Sequence, residues 1–159
     1  MAFLFSTVSF RSPPPSSFFS SLFFMAQTQQ AVKQFLSFSH FAVVGASPDP
    51  SKFGNRVLRW YQSHQLAVTP IHPKQDAIEG LKCLKSLSLL PHPRQTAVSI
   101  ITPPAVTEHV VEDAIKLGIP ALWMQPGSHS QKAMKRATEA GLILLANGPC
   151  ILVDTKSML

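Results

Sequence analysis

From residue 40 onward the chain reads as five short apolar runs, most of them followed by a segment whose apolar residues recur at helical spacing. The runs are residues 40–45, 67–71, 96–101, 121–125 and 142–146. Short runs this apolar are buried on both faces, as in a parallel sheet covered by helices. Phe53, Val57 and Tyr61 give residues 53–64 a single apolar face. A first-turn proline, a stripe of Val106, Val110, Ala114 and Leu117, and a stop at Gly118 predict a helix over Pro104–Leu117. Ala133, Ala137 and Ala140 predict another over 130–140. Residues 27–38 have helical spacing ahead of the first strand, 82–90 form a short irregular unit closed by Pro91 and Pro93, and 147–153 close the chain. Together these predict a single α/β domain built on a Rossmann-like, doubly wound, parallel five-stranded sheet.

Residues 1–27 stand apart, with abundant Ser and Phe, three consecutive prolines from Pro13 to Pro15, one Arg and no acid. They read as a disordered N-terminal extension or an organellar transit peptide, or as sequence upstream of a true start at Met25. The domain is therefore placed at 28–159. The compartment expected is the cytoplasm, or the mitochondrion if the leader is a transit peptide. The apolar patches of the leader are interrupted too often to span a membrane.

Charge and cysteine content narrow the partners. The net charge of +6 is scattered, without a run of Lys or Arg, which favours a small anionic ligand over a nucleic-acid groove. Cys83 and Cys150 lie far apart with no CxxC pair, so a disulfide framework is not expected. The six histidines form no HxH or HxxxH pair, so neither is a metal site.

Sheets of this kind bind ligands beyond the C-terminal strand ends, where the strand order reverses. After the first strand comes Gly45-Ala46-Ser47, and the next helix opens after Ser51 and Lys52. Backbone N–H groups and the positive end of the helix dipole converge there, which favours an anion such as a phosphate. The GxGxxG fingerprint is absent, since Ser47 and Pro50 stand where glycines are required. Gly54 inside the first helical turn implies close approach by a ligand or a strand. Ser51 is the expected N-cap, and Lys52 adds charge beside it. An ordinary glycine turn before a capped helix fits the same spacing.

The other strand ends add detail. The second is followed by His72-Pro73-Lys74, with no acid nearer than Asp76. A cation there suits a nucleotide with a phosphorylated ribose, as in coenzyme A or NADP; a solvated surface lysine is the alternative. After the third strand, Thr102-Pro103-Pro104 offers a hydroxyl and an apolar wall for an adenine or a pantetheine arm. At the fourth, Gln125 is the candidate for the crevice, while Trp123 and Met124 belong to the core. Cys150 has no His or acid beside it in sequence to make it a nucleophile.

Taken together, VVGASPDPSKFGNRV, PIHPK, ITPPAVTEHVVEDAIKLGIPALWMQPG and ANGPC resemble the CoA-binding domain family. That family includes small single-domain bacterial proteins and the N-terminal domain of the succinyl-CoA synthetase α subunit. The resemblance covers about residues 35–155 and implies coenzyme A as the ligand. The residues it implies as contacts are Gly45, Ala46, Ser47, Lys52 and Asn55 in the first loop, Pro73 and Lys74 after the second strand, Thr102 and Pro103 after the third, and Gln125 after the fourth. At Thr102-Pro103 and Gly148-Pro149-Cys150 the chain is nearer to the synthetase pattern than to the small bacterial one. The synthetase's phosphorylated histidine belongs to a second domain outside this stretch, so no ligase chemistry carries over. The expected function is a module that binds CoA or an acyl-CoA without catalysis of its own. A small NADP-dependent oxidoreductase, or a redox-regulated protein carrying CoA on Cys150, are the alternatives. The partners expected are the small-molecule ligand and either a second copy or a partner subunit, with no nucleic acid and no membrane.

Overall fold

The structure, a computed structural model, describes residues 16–155. Helix α1 (Ser16–Leu36) leads into strand β1 (His40–Val44), helix α2 (Phe53–Ser63) and strand β2 (Val68–Ile71). A small hairpin follows, β3 (Ala77–Ile78) and β4 (Leu81–Lys82), and then two short 3-10 turns at Leu87–Leu89 and Pro93–Gln95. The second half repeats strand and helix: β5 (Thr96–Ile100), α3 (Pro104–Leu117), β6 (Ala121–Met124), α4 (Gln131–Glu139), β7 (Ile143–Leu145) and α5 (Ile151–Asp154). Five strands pair in the order β2-β1-β5-β6-β7, all parallel. This is the Rossmann-like α/β sheet expected from the apolar runs.

The order of strands dictates the layers. From β1 the chain moves outward one way to β2, then returns across β1 and moves the other way through β5, β6 and β7. Right-handed crossovers running in opposite directions place their helices on opposite faces. Accordingly Val57, Leu58 and Tyr61 of α2 pack with Val32 and Phe35 of α1 and with Phe41, Val43, Ala97 and Trp123 on one face of the sheet. Val111 and Ala114 of α3 and Ala133 and Ala137 of α4 pack with Ala42, Val98, Ile100, Leu122 and Met124 on the other. Alternate residues of each strand thus serve alternate layers, and burying each large side chain is worth about 2 kcal/mol. Trp123 and Met124 are core, as expected, and Trp123 meets Phe35 edge-on at 5.3 Å.

Three local features differ from the sequence reading. Helix α1 begins at Ser16, eleven positions earlier than the apolar spacing indicated, immediately after a proline run that a helix start tolerates. The expected extension or transit peptide over residues 1–27 lies, for 1–15, outside the described residues. The hairpin β3–β4 is too short for periodicity to reveal; its two-residue turn puts Glu79 and Gly80 at positive φ. The closing segment, given no element type by the sequence, is helical at 151–154, and the Asp154 carboxylate accepts the Cys150 N–H at 2.6 Å. No helix among the described residues is long and apolar enough to cross a membrane.

Candidate functional site

The strand order reverses between β1 and β5, and a cleft of about 480 Å³ opens at their C-terminal ends. Val44, Gly45 and Ala46 form its floor, Ile71, His72 and Pro73 one side, and Ile101, Thr102 and Pro103 the other. Val106 and Val110 of α3 extend the apolar wall, with Asp113 beyond them, and Lys85, Ser86 and Leu87 close the opposite rim.

Backbone sterics build the floor. Gly45 has φ +88°, and a Cβ there would lie 3.1 Å from the carbonyl carbon of Ile101 and 3.2 Å from the amide nitrogen of Thr102. Only glycine lets β1 turn away at this point while the chain after β5 passes so close. Gly54 answers the question its helical position raised: a Cβ on it would stand 2.1 Å from the Gly45 carbonyl oxygen. The close approach it permits is that of the strand turn to the first turn of α2. The helix dipole is thereby brought against the Gly45–Ala46 turn.

The loop between them is held from within. Asp49 accepts the Ser51 hydroxyl at 2.7 Å and the Ser51 N–H at 2.9 Å, which holds its carboxyl below the usual aspartate range. Ser51 is therefore tied to Asp49, and the residue in the N-cap position of α2 is Lys52, with no side-chain cap. Asn55 is fully buried and donates to the Ser47 carbonyl at 2.9 Å and to Glu79 Oε1 at 2.7 Å. It thus fastens the loop to the β3–β4 turn, while its Oδ1 is buried without a partner.

Of the residues expected to bind ligand, Gly45, Ala46, Pro73, Thr102 and Pro103 share the cleft. Ser47, Lys52 and Asn55 lie along the loop and the start of α2, outside the cleft lining. Lys74 is exposed on the turn after Pro73, and its N–H donates to His72 Nδ1 at 3.1 Å. Gln125 is buried at the end of β6, where its Oε1 accepts the Ile151 N–H at 3.1 Å and its Nε2 has no partner. It ties the β6 rim to α5 and does not line the cleft.

Sequence reasoning passed over Lys85, Val106, Val110 and Asp113, and gave His72 no role. Lys85 lies in the short irregular unit, and Val106 and Val110 belong to the apolar stripe of the predicted helix. Lys85 Nζ donates to Asp76 Oδ1 at 2.7 Å and to the Gln75 carbonyl at 2.9 Å, and this pairing holds the Asp76 carboxyl low. On the facing wall, Thr107 is buried and bonds the Thr102 hydroxyl at 2.8 Å and the Thr102 carbonyl at 3.1 Å, which closes the turn into α3.

Residues 39–156 match the family described as CoA binding domain. The chain belongs to the CoA-binding domain family. Its members' likeness extends to solved structures: a hypothetical protein from Pyrococcus horikoshii is 32% identical with a TM-score of 0.74, over 80% of this chain and 89% of that one. A conserved hypothetical protein from Pyrococcus furiosus is 37% identical with a TM-score of 0.69, over 74% of this chain and all of that one. The dinucleotide-forming acetyl-coenzyme A synthetase 1 of Candidatus Korarchaeum cryptofilum is 31% identical with a TM-score of 0.60, over 68% of this chain and 26% of the synthetase. Among curated proteins, the ADP-forming acetate–CoA ligase of Methanocaldococcus jannaschii is 33% identical over 78 residues, which is 49% of this chain. The match spans only 11% of that ligase. This chain thus matches most of two small solved chains and only a small part of two much longer ones.

Proposed function

We propose that this chain binds coenzyme A or an acyl-CoA in the cleft at the β1–β5 reversal, as a module without catalysis of its own. The observation that carries the reading is the convergence of three strand ends on one crevice in a member of this family: the Gly45–Ala46 turn, the His72–Pro73 turn with Lys74 beside it, and the Thr102–Pro103 edge. The amides of the first turn and the dipole of α2 suit a pyrophosphate, and Lys74 or Lys85 suits a ribose phosphate. Ile101, Val106 and Val110 offer the apolar wall that a pantetheine arm needs.

The cleft's own hydroxyls favour binding over chemistry. Thr102 is engaged with Thr107, and Ser86 with Ser88 at 2.7 Å, so neither is paired with a base as a nucleophile requires. Cys83 is buried, which pushes its thiol upward, and it does not line the cleft.

Titration calorimetry with CoA and with dephospho-CoA tests the proposal. CoA is expected to bind about tenfold more tightly, the scale of one charge-assisted contact to the 3′-phosphate. Lys74→Ala is expected to abolish that preference. Equal affinities for the two ligands would remove the role of Lys74, and binding of neither would overturn the function.

A further inference from the structure

We infer that His72 determines what the cleft accepts: its Nδ1 fixes the turn that carries Lys74, and its Nε2–H is a donor offered to an acceptor atom of a bound nucleotide. This rests on the reading of the cleft as a CoA site. Nδ1 receives two backbone N–H groups, from Lys74 at 3.1 Å and from Gln75 at 3.0 Å. A ring nitrogen that accepts carries no proton, so the neutral imidazole bears its hydrogen on Nε2. His72 lines the cavity beside Pro73, and with Nδ1 consumed by the turn the only polar atom its ring has left for a ligand is that donor.

The turn is braced on both sides. The His72 N–H donates to the Leu84 carbonyl at 3.0 Å, and Lys85 Nζ holds the Gln75 carbonyl and Asp76 from the far side. Lys85 and Asp113 are the charged residues that line the same cleft as His72. A phosphate oxygen or a purine nitrogen satisfies Nε2–H, whereas a ligand donor at that point leaves two donors face to face.

Two substitutions separate the two jobs. His72→Asn keeps an acceptor where Nδ1 stands and has no donor reaching the ε position. His72→Gln keeps a donor at the ε position and loses the acceptor. Nitrogen NMR of the ligand-free wild type is expected to show the Nε2–H tautomer; a protonated Nδ1 in the neutral ring overturns the inference. Calorimetry is expected to show His72→Asn about tenfold weaker for CoA, with the Lys74 and Gln75 amides still protected from exchange. His72→Gln is expected to lose that protection and the preference for CoA over dephospho-CoA. CoA affinity and preference equal across wild type, Asn and Gln overturn the role of His72 and leave the CoA-binding reading standing. Failure of the wild type to bind CoA overturns that reading and the ligand half of this one, while the ring spectrum still decides the tautomer.

Discussion

Gly54 has no room for a side chain, because the Gly45 carbonyl oxygen occupies the place its Cβ would take. Gly54→Ala therefore forces α2 away from the strand turn, at a cost of about 2 kcal/mol or more by urea unfolding. A change within about 0.5 kcal/mol, as for an ordinary surface position, would contradict that contact. Tyr61 and Ser99 make a second residue-level test. Both are fully buried and their hydroxyls share a hydrogen bond of 2.8 Å, so Tyr61→Phe strands the Ser99 hydroxyl at a cost of about 1 kcal/mol. Burial raises the Tyr61 hydroxyl far above its usual value. Its contribution is thus fully present below the unfolded tyrosine value of about 10 and is lost as pH rises above it, when the unfolded chain releases the proton first. Wild type is expected to lose more stability than Tyr61→Phe on that alkaline limb, and parallel curves would refute the assignment. At this scale the sequence was legible where sterics act alone: Gly54 announced a close approach, though not which atom made it. It was illegible where a side chain has a choice. Asn55 has both donor and acceptor, and its inward turn to Ser47 and Glu79 depends on a hairpin 24 positions away.

Helix α3 shows how one element serves both core and cleft. Val111 and Ala114 are buried under the sheet, while Val106 is 46% exposed and lines the cavity. Val106→Asp puts a carboxylate in the first turn, where the helix dipole favours it, so stability is expected to stay within about 0.5 kcal/mol of wild type. The same charge faces an anionic ligand, and CoA affinity is expected to fall about tenfold by calorimetry. Unchanged affinity would place the ligand elsewhere. The sheet strands and α2 to α4 were readable to within about two residues because their apolar spacing is set by burial on one or both faces. The hairpin β3–β4 escaped because two residues per strand give no period. Lys85 escaped with it, since that hairpin and the bridge from Ile71 to Leu84 carry the chain back to the cleft rim.

Across the whole molecule, the site is a product of topology more than of any motif. The strand order reverses beside β1, so the chain after β1 and the chain after β5 part in opposite directions and leave the crevice between them. That reversal brings together residues 45, 72, 85, 102 and 106, whose spacing in sequence forms no signature. Gly45, Ala46, Pro73, Thr102 and Pro103 line the cleft because they directly follow strands whose apolar runs are legible in the sequence, whereas Lys85 on the opposite rim follows no such run. The measurement that tests the account most directly is backbone amide NMR during a titration with CoA. Shifts concentrated at Gly45, Ala46, His72, Lys74, Thr102 and Val106 are the predicted result. Saturable binding whose shifts fall elsewhere, for example on the outer face of α2 at Arg56, Arg59 and Trp60, would contradict it.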